Sequence, residues 1–286
     1  MADEKCGRPG ANILKNAGYH ISSRHLTGND FLEAKISEYG LGWVQFFLGN
    51  PQSYKLGQPT LERLKKTSLS VNFIVHSPYI INIVNENKDF YERSLECIIE
   101  ALNTGDKFGV HSYVTHLGSV DKREDKKQTV KKLIRSCSYI LDKTDPDNEI
   151  KLLLETSPGS KSGTRIGTLE EIREVVQNID SDRLGVCLDT EHAYANGLKL
   201  TDLDLDELAP EIEVIHLNSI PESVDLNSHR DEHGTTALRD TKPQLKEALE
   251  KIILFFNKRN IPLILERSGE DVIENDLNYL QELFCC

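Results

Sequence analysis

An apolar run ends abruptly in an acidic residue and a histidine in the stretch Cys187-Leu188-Asp189-Thr190-Glu191-His192-Ala193-Tyr194-Ala195-Asn196-Gly197. Asp189 and His192 leave the end of a predicted buried strand at residues 184–189, and each side chain is able to hold a metal ion. An aspartate in this position is often only a helix cap, and a histidine is often only a packed ring. The interpretation therefore depends on how many other strands end in the same way.

The alternation of a short apolar run with a helical pattern recurs along the whole chain. Strands are predicted at residues 17–22, 42–48, 71–76, 110–116, 150–155, 184–189, 213–218 and 261–266. Helical spacing of apolar residues follows them, for example at residues 29–39, 60–69, 88–107, 242–257 and 271–284, and a charged run opens another helix at residues 121–141. Thr168 and Glu171 have the spacing of a capping box. The strand ends are about 35 residues apart, the length of a β-α-β unit.

This regularity predicts an α/β protein in which residues 1–286 form a single (β/α)₈ domain, the TIM barrel, with residues 1–15 as a loosely ordered N-terminal extension. No linker rich in proline, glycine and serine divides the chain. An open doubly wound sheet is the alternative. It is disfavoured because neither G-x-G-x-x-G nor G-x-x-x-x-G-K-[ST] follows an early strand.

The composition, 38% hydrophobic and 28% charged residues, is typical of a soluble globular protein. No apolar run is long enough to span a membrane. The charged residues 1–5 have no apolar core behind them, so we expect an intracellular, cytoplasmic or nuclear protein rather than a secreted one. Six scattered cysteines show no C-x-x-C spacing and are expected to be free thiols. The net charge of −12 argues against a nucleic-acid partner unless bound metal ions reverse the sign locally.

Potential metal ligands gather where the predicted strands end, which in a barrel is where active sites lie. Five histidines and four carboxylates from six strand ends and their loops qualify: His76, His116, Glu155, Asp189, His192, His216, Asp231, His233 and Glu266. A single histidine or carboxylate at such a position is more often a structural residue than a metal ligand. The chain has only nine histidines, however, and five of them fall in this set, which favours one common centre.

Nine ligands are too many for one ion, because zinc takes four or five nitrogen and oxygen ligands. They suit three ions if a carboxylate such as Glu155 bridges two of them. The absence of cysteine from the set argues against a structural zinc site. Three divalent ions among four carboxylates leave a charge of about +2, which attracts phosphate. Ions that lie about 3.5–4 Å apart suit in-line displacement at phosphorus.

Seven stretches of the chain then resemble one known family, the endonuclease IV enzymes, which are trinuclear-zinc apurinic/apyrimidinic endonucleases of base excision repair. They span almost the whole chain in order: Val75-His76-Ser77-Pro78-Tyr79-Ile80-Ile81-Asn82, Thr115-His116-Leu117-Gly118, Leu154-Glu155-Thr156-Ser157-Pro158-Gly159, Cys187-Leu188-Asp189-Thr190-Glu191-His192, His216-Leu217-Asn218, Ser228-His229-Arg230-Asp231-Glu232-His233 and Leu265-Glu266-Arg267. The resemblance implies a zinc-dependent hydrolase that cleaves duplex DNA 5′ to abasic sites and leaves a 3′-hydroxyl. Because no apolar run could span a membrane, we expect no membrane partner, and we expect a monomer.

The resemblance also implies a role for each ligand. The first zinc ion is held by His76, His116 and Glu155, the second by Glu155, Asp189, His216 and Glu266, and the third by His192, Asp231 and His233. Manganese is an alternative at one or more sites. Glu155 and Glu266 are the implied catalytic residues. The implied DNA contacts are Tyr79 and a loop at residues 50–54 that carries Asn50, Gln52 and Tyr54.

Two loops depart from the family pattern. Gln52 stands where an arginine often reaches into the gap left by the missing base, which bears on DNA bending and lesion selectivity. Glu232 stands between Asp231 and His233 where arginine or histidine is usual. His229 also offers an alternative pairing with Asp231 in the same loop.

Two other functions are compatible with the residues. A sugar isomerase or epimerase of the xylose-isomerase-like barrels would hold one metal ion with Glu155, Asp189, His216 and Glu266, and would leave the other five candidates unexplained. A catalytically inactive DNA-binding or scaffolding protein is a third class, disfavoured because no ligand position is lost. The number of metal ions per chain separates the first two functions.

Overall fold

The computed structural model describes residues 13–120, 125–159, 164–232 and 234–285. Its strands are β1 (Ala17–Ile21), β2 (Trp43–Phe47), β3 (Asn72–His76), β4 (Val110–Thr115), β5 (Ser119–Val120), β6 (Lys151–Glu155), β7 (Thr164–Arg165), β8 (Leu184–Asp189), β9 (Ile212–His216) and β10 (Leu263–Leu265). Its helices are α1 (Asp30–Tyr39), α2 (Gln58–Leu64), α3 (Lys88–Asp106), α4 (Lys126–Lys143), α5 (Leu169–Ile179), α6 (Thr190–Ala195), α7 (Leu205–Leu208), α8 (Pro243–Lys258) and α9 (Glu270–Cys285). Most of the predicted N-terminal extension, residues 1–12, lies outside the described residues.

Eight of these strands close into a barrel in the order β1-β10-β9-β8-β6-β4-β3-β2. Every neighbouring pair in it is parallel. The short strands β5 and β7 lie outside the barrel as an antiparallel pair. The TIM barrel predicted from the sequence is confirmed.

Local sequence signals explain most of the element boundaries. The capping box at the start of α5 is present, with Thr168 accepting from the Glu171 N–H while the Glu171 side chain accepts from the Thr168 N–H. The last barrel strand begins at Leu263 rather than at residue 261, because Pro262 has no N–H to join the ladder, and it ends at Leu265. The helix predicted at residues 121–141 begins at Lys126, where Asp125 is its cap, and residues 121–124 are among those not described.

Two layers of apolar side chains form the core. The larger lies between the barrel and its helices. The smaller, which we call the interior layer, fills the barrel and consists of Trp43, Ile74, Val114, Leu153, Cys187, Val214 and Ile264. Each of these seven residues comes from a different barrel strand, so the layer is a continuous floor across the barrel.

The remaining sequence predictions have mixed outcomes. Among the described residues, no helix is long and apolar enough to cross a membrane. Cys97, Cys137 and Cys187 are buried free thiols, as expected. The prediction of free thiols is wrong for Cys285, which is disulfide-bonded.

Candidate metal centre

The candidate site is the next layer of the barrel interior above the interior layer. Side chains on a strand alternate between its two faces, so the residue two positions after an inward-facing one faces inward as well. Counting two residues on from the interior layer gives Gln45, His76, His116, Glu155, Asp189, His216 and Glu266. His20 of β1 adds the eighth strand, since it lies close to Gln45 and Glu266. We call these eight residues the site layer.

Glu155 is the centre of the site layer. Its side chain is 1% exposed, and four histidine rings lie around it. Oε2 faces His76 Nε2 at 3.1 Å and His116 Nδ1 at 3.3 Å. Oε1 faces His216 Nδ1 at 3.0 Å and His192 Nδ1 at 3.5 Å. The two carboxylate oxygens therefore serve two different pairs of histidines.

A second group of ligand atoms lies on the Oε1 side of Glu155. His216 Nδ1 is 3.4 Å from Glu266 Oε2. The amide of Asn218 donates to Asp189 Oδ2 over 2.6 Å and lies 3.4 Å from Glu266 Oε2. The register of the sheet brings Asp189 opposite His216, which aligns the ends of β8 and β9.

The Asp189 and His192 pair is positioned by the start of α6. Asp189 is the N-cap, and its Oδ1 accepts from the His192 backbone N–H over 2.8 Å. Its other oxygen, Oδ2, lies 3.5 Å from His192 Nδ1. On its opposite edge the His192 ring has Nε2 at 3.6 Å from Asp231 Oδ2. His192 therefore lies between the barrel ligands and the loop after β9.

Eight of the nine predicted ligands are thus brought to one place, and His233 lies outside the described residues. His229, the alternative partner for Asp231, has Nδ1 at 3.1 Å from the carbonyl oxygen of Pro158. That contact lies next to Gly159, where a Cβ atom would come within 2.2 Å of the His229 ring. The glycine is required there because the loop after β6 and the His229 ring approach so closely.

The donor set fits divalent ions. Two groups of described residues each bring ligand atoms within 4.8 Å of one another: His76, Glu155 and His216, and Glu155, Asp189, His216 and Glu266. All of these atoms are imidazole nitrogens or carboxylate oxygens, which zinc and manganese both accept. His76, Glu155, Asp189 and His216 are each 3% exposed or less. Several carboxylates this deeply buried and this close together need positive charge beside them.

The pKa shifts of Glu155, Glu266 and His116 are consistent with that fit. Burial opposes the ionisation of Glu155, but neighbouring histidines, led by His116, outweigh it and hold the pKa of its carboxyl well below the usual range. Burial opposes ionisation of Glu266 too, and His216 leads the groups that keep its pKa well below the usual range. Burial lowers the pKa of His116 to about 4, so its ring is neutral near pH 7 and keeps a lone pair for a ligand bond.

The pKa of His192 is shifted in the opposite direction from that of His116. Burial opposes the charging of the His192 ring, but acidic neighbours, led by Asp189, outweigh it and hold the pKa well above its usual range. That ring must therefore release a proton when an ion binds.

The site layer opens into a cavity of about 590 Å³ whose lining includes His76, Tyr79, His116, Asp231 and Glu266. A second cavity of about 420 Å³ shares Phe47, Tyr79 and Glu266 with the first. Tyr79 is 59% exposed, and its ring packs on Phe47 with centroids 5.3 Å apart. Phe47 and Tyr79 thus form a wall between two adjoining depressions at the carboxyl end of the barrel.

The loop at residues 50–54 is joined to this wall. The backbone N–H of Tyr79 donates to the carbonyl oxygen of Pro51 over 2.8 Å. The Tyr54 hydroxyl donates to the carbonyl oxygen of Ile80 over 3.2 Å. The Asn50 side chain accepts from the Gln52 N–H over 2.8 Å, and both of these side chains are exposed. The four residues expected to contact DNA therefore lie on one continuous rim.

Four residues that contact the proposed ligands or their loop were not singled out from the sequence: His20, Gln45, Glu191 and Asn218. His20 and Gln45 lie in the same layer as the ligands, and the spacing of two residues along each strand would have found them. Asn218 lies two positions after His216 and carries the same signal. Glu191 is buried between Asp189 and His192 on α6, where a charged residue in a short buried helix is unusual.

Comparisons with known proteins show what the chain is similar to. Residues 34–283 match the model of a family described as "Xylose isomerase-like TIM barrel". A protein named "Probable endonuclease 4" from Sulfurihydrogenibium is 28% identical over 290 aligned residues, which cover 94% of this chain and 99% of that protein. One of the same name from Mycoplasmopsis synoviae is 31% identical over 238 residues, which cover 78% of this chain and 81% of that protein. The crystal structure of endonuclease IV from Thermus thermophilus superposes with a TM-score of 0.69 at 24% identity, covering 94% of this chain and 98% of that one, and it supports the fold.

Proposed function

The chain belongs to the endonuclease IV family within the xylose isomerase-like TIM barrels, and from that premise we propose that it hydrolyses the phosphodiester 5′ to abasic sites in duplex DNA. The product would carry a 3′-hydroxyl, as base excision repair requires. We propose that it works as a single-domain monomer inside the cell, in the cytoplasm or the nucleus, with damaged duplex DNA as its partner.

The observation that carries this proposal is that the two carboxylate oxygens of Glu155 face different histidines. Oε2 faces His76 and His116, whereas Oε1 faces His216. A buried carboxylate whose oxygens address separate sets of ligand atoms is what a bridge between two metal ions needs. A single-metal site made of Glu155, Asp189, His216 and Glu266 gives no role to the contacts that His76 and His116 make with Oε2.

Three zinc ions account for the ligand set. We assign His76, His116 and Glu155 to the first ion, and Glu155, Asp189, His216 and Glu266 to the second. The third would be held by His192, Asp231 and His233, and the 3.6 Å distance between His192 Nε2 and Asp231 Oδ2 supports the first two of these. Manganese is an alternative ion at one or more of the sites.

When bound, such ions supply an activated water and stabilise the leaving oxygen of an in-line displacement. The chain's own residues then have three tasks. Glu155 and Glu266, the proposed catalytic residues, remain ionised in the barrel and neutralise part of the metal charge. The exposed ring of Tyr79 lies on the rim where the DNA backbone would enter, and the side chains of Asn50, Gln52 and Tyr54 extend that surface. The buried rings of His76 and His216 contact Glu155 and keep bulk water away from its carboxylate.

Incision of a synthetic duplex with a single abasic site tests the proposal. The metal-loaded protein should cut 5′ to the lesion and leave an otherwise identical intact duplex uncut. Chelation should abolish both incision and DNA binding. Without the ions, the protein has a net charge of −12 and is repelled by the DNA phosphates. Zinc should restore both. Equal cutting of the two duplexes, or a chelated protein as active as the loaded one, would refute the proposal.

A single-metal sugar isomerase or epimerase is the second candidate. It is favoured by the compactness of Glu155, Asp189, His216 and Glu266, whose ligand atoms all lie within 4.8 Å of one another. Metal analysis of the purified protein separates the two candidates. About one ion per chain favours the isomerase, and about three favour the endonuclease.

A further inference from the structure

The loop after β9 that carries Asp231 lies along α6. The His229 N–H donates to the carbonyl oxygen of Ala195 over 3.0 Å. A Cβ atom at Gly197 would come within 2.4 Å of the Asn227 side chain. Both Asn227 and His229 have left-handed backbones, with φ values of 61° and 53°. Such conformations in residues other than glycine persist where surrounding contacts hold them.

Glu191 makes the contact nearest to the proposed ligands. It is fully buried in α6, between Asp189 and His192 in sequence. Its Oε1 accepts from the backbone N–H of Glu232 over 2.8 Å. Glu232 is the neighbour of Asp231, so this hydrogen bond fixes the peptide group that follows the proposed ligand.

Asp231 needs such an anchor. Its side chain is 47% exposed, in contrast to the buried barrel ligands. Its carboxylate is 3.6 Å from His192 Nε2, longer than an ordinary hydrogen bond, and the backbone of the loop sets how closely that carboxylate approaches the ring. His192 and Glu191 are adjacent on one short helix. The same turn of α6 therefore carries a proposed ligand and the anchor of its partner.

We propose that Glu191 is a positioning residue that holds Asp231 opposite His192 through the Glu232 N–H. The role rests on the proposed function, because it serves the third metal ion. It requires a hydrogen-bond acceptor at the position of Oε1 and does not require a negative charge there. A glutamine side chain has the same length and keeps that oxygen, whereas aspartate keeps the charge and withdraws the oxygen by one methylene.

Four variants separate these requirements. Glu191→Gln should behave as the wild type. Glu191→Asp and Glu191→Ala should both lose the anchor, and the aspartate variant serves where the alanine variant does not fold. Glu222→Ala is the matched control, because it removes an exposed carboxylate from the same loop and leaves both Glu191 and the Glu232 N–H in place.

Hydrogen exchange of the Glu232 amide in metal-free protein is the first measurement. Exchange should be about three- to tenfold faster in Glu191→Asp and Glu191→Ala, the effect of losing one hydrogen bond. It should be unchanged in Glu191→Gln and Glu222→Ala. The second measurement is zinc affinity, in which the same two variants should bind the weakest of the ions about 10- to 100-fold less tightly.

The outcomes are decisive in both directions. Exchange of the Glu232 amide at the wild-type rate in Glu191→Asp would overturn the inference. Exchange as fast in Glu191→Gln as in Glu191→Asp would also overturn it, because the negative charge of residue 191 and not its acceptor oxygen would then hold the loop. Failure of the proposed function looks different. A wild-type protein that holds one zinc ion and cuts no abasic duplex refutes the endonuclease, whereas exchange of the Glu232 amide still reports on Glu191.

Discussion

The side-chain oxygen of Gln45 lies 2.9 Å from Nε2 of His216. The amide nitrogen of Gln45 lies 2.9 Å from Glu266 Oε1, and since a carboxylate only accepts, this contact fixes which way the amide is turned. The oxygen of Gln45 must then accept from Nε2 of His216. A neutral His216 ring therefore keeps its lone pair on Nδ1, which faces Glu155 and Glu266.

Gln45→Met should weaken metal binding. Methionine fills a similar volume in the buried strand but cannot set the tautomer of His216 or hold Glu266. We expect zinc affinity to fall about 10- to 100-fold, as it does when an outer partner of a ligand is lost. Titration with a zinc indicator measures it. Ser112→Ala, which removes a buried hydroxyl from β4, is the control and should bind zinc as the wild type does. Equal affinities for Gln45→Met and wild type would contradict the tautomer argument.

Glu155→Gln should be more damaging than any change outside the ligand set. The amide keeps one oxygen but replaces the other with a donor, so it cannot bridge two ions. We expect loss of bound metal and a fall in the incision rate greater than the roughly 100-fold upper value for an outer partner. Glu211→Gln alters a carboxylate paired with Arg173 just before β9, at the opposite end of the barrel. It should retain full metal content, and a Glu155→Gln enzyme that cuts as fast as this control would exclude the bridging role.

Tyr79→Ala should weaken DNA binding and leave metal binding intact. The exposed ring packs on Phe47 with centroids 5.3 Å apart, and its centroid is 6.5 Å from those of His76 and His116, so it supplies no ligand atom and lies beyond direct contact with their ligand atoms. Loss of an aromatic contact with nucleic acid costs about 1–3 kcal/mol, or roughly 5- to 150-fold in affinity. Tyr79→Phe should retain most of that affinity if the ring makes the contact. Tyr139→Ala, an equally simple truncation of an exposed ring on α4, should bind an abasic duplex as the wild type does.

The barrel was predictable because several of its strands repeat the same local signal. An apolar run that ends in a polar residue marks β3, β6, β8 and β9, and parallel strands bring those ends to one edge. Gln45 was overlooked for the opposite reason, since it lies inside the apolar run Trp43–Phe47 rather than at its end. His20 was not singled out from the sequence either. It lies two residues after Gly18, whose missing side chain leaves room for the backbone of Trp43.

The loop after β9 could not be predicted to the same depth. Its course depends on left-handed residues that are not glycine, Asn227 and His229, and such residues carry no reliable sequence signal. The anchor of the loop is equally hidden. In the sequence, Glu191 looks like one more charged residue of a surface helix. Only the structure shows that it is buried and that its carboxylate accepts from the backbone N–H of Glu232.

Asp276→Ala should destabilise the fold strongly. Asp276 and Arg267 form an ion pair in which both side chains are completely buried. Burial raises the pKa of Asp276 even with Arg267 beside it, so charging this carboxyl in the folded protein is costly. Removing it leaves the Arg267 charge without its partner, which costs about 3–5 kcal/mol of unfolding free energy.

Chemical denaturation measures that loss. Glu282→Ala is the control, since it breaks an ion pair with Arg239 whose side chains are 53% and 63% exposed, and it should cost less than about 1 kcal/mol. Asp276→Ala should also weaken zinc binding, because Arg267 Nη1 donates to Asn218, whose amide donates to Asp189. Equal losses of unfolding free energy in the two variants would show that the buried Arg267–Asp276 pair contributes no more to stability than the exposed pair.

Gln52→Arg should strengthen binding to abasic duplexes. Gln52 is exposed on the rim that Tyr79 and Tyr54 complete, and its backbone N–H is already held by Asn50, so a longer side chain can be accommodated without moving the loop. A guanidinium there adds one phosphate contact. The logarithm of the binding constant should then fall more steeply with the logarithm of salt concentration, by about 0.9 in slope.

Affinity at two or more salt concentrations tests this expectation, with Gln244→Arg as the matched control. Gln244 is exposed on the outer helix α8, so the control adds the same charge to the protein away from the proposed DNA surface. A steeper slope in Gln52→Arg alone places residue 52 against the DNA backbone. Equal slopes in both variants would mean that net charge accounts for the gain, and the assignment of residues 50–54 to DNA contact would then be wrong.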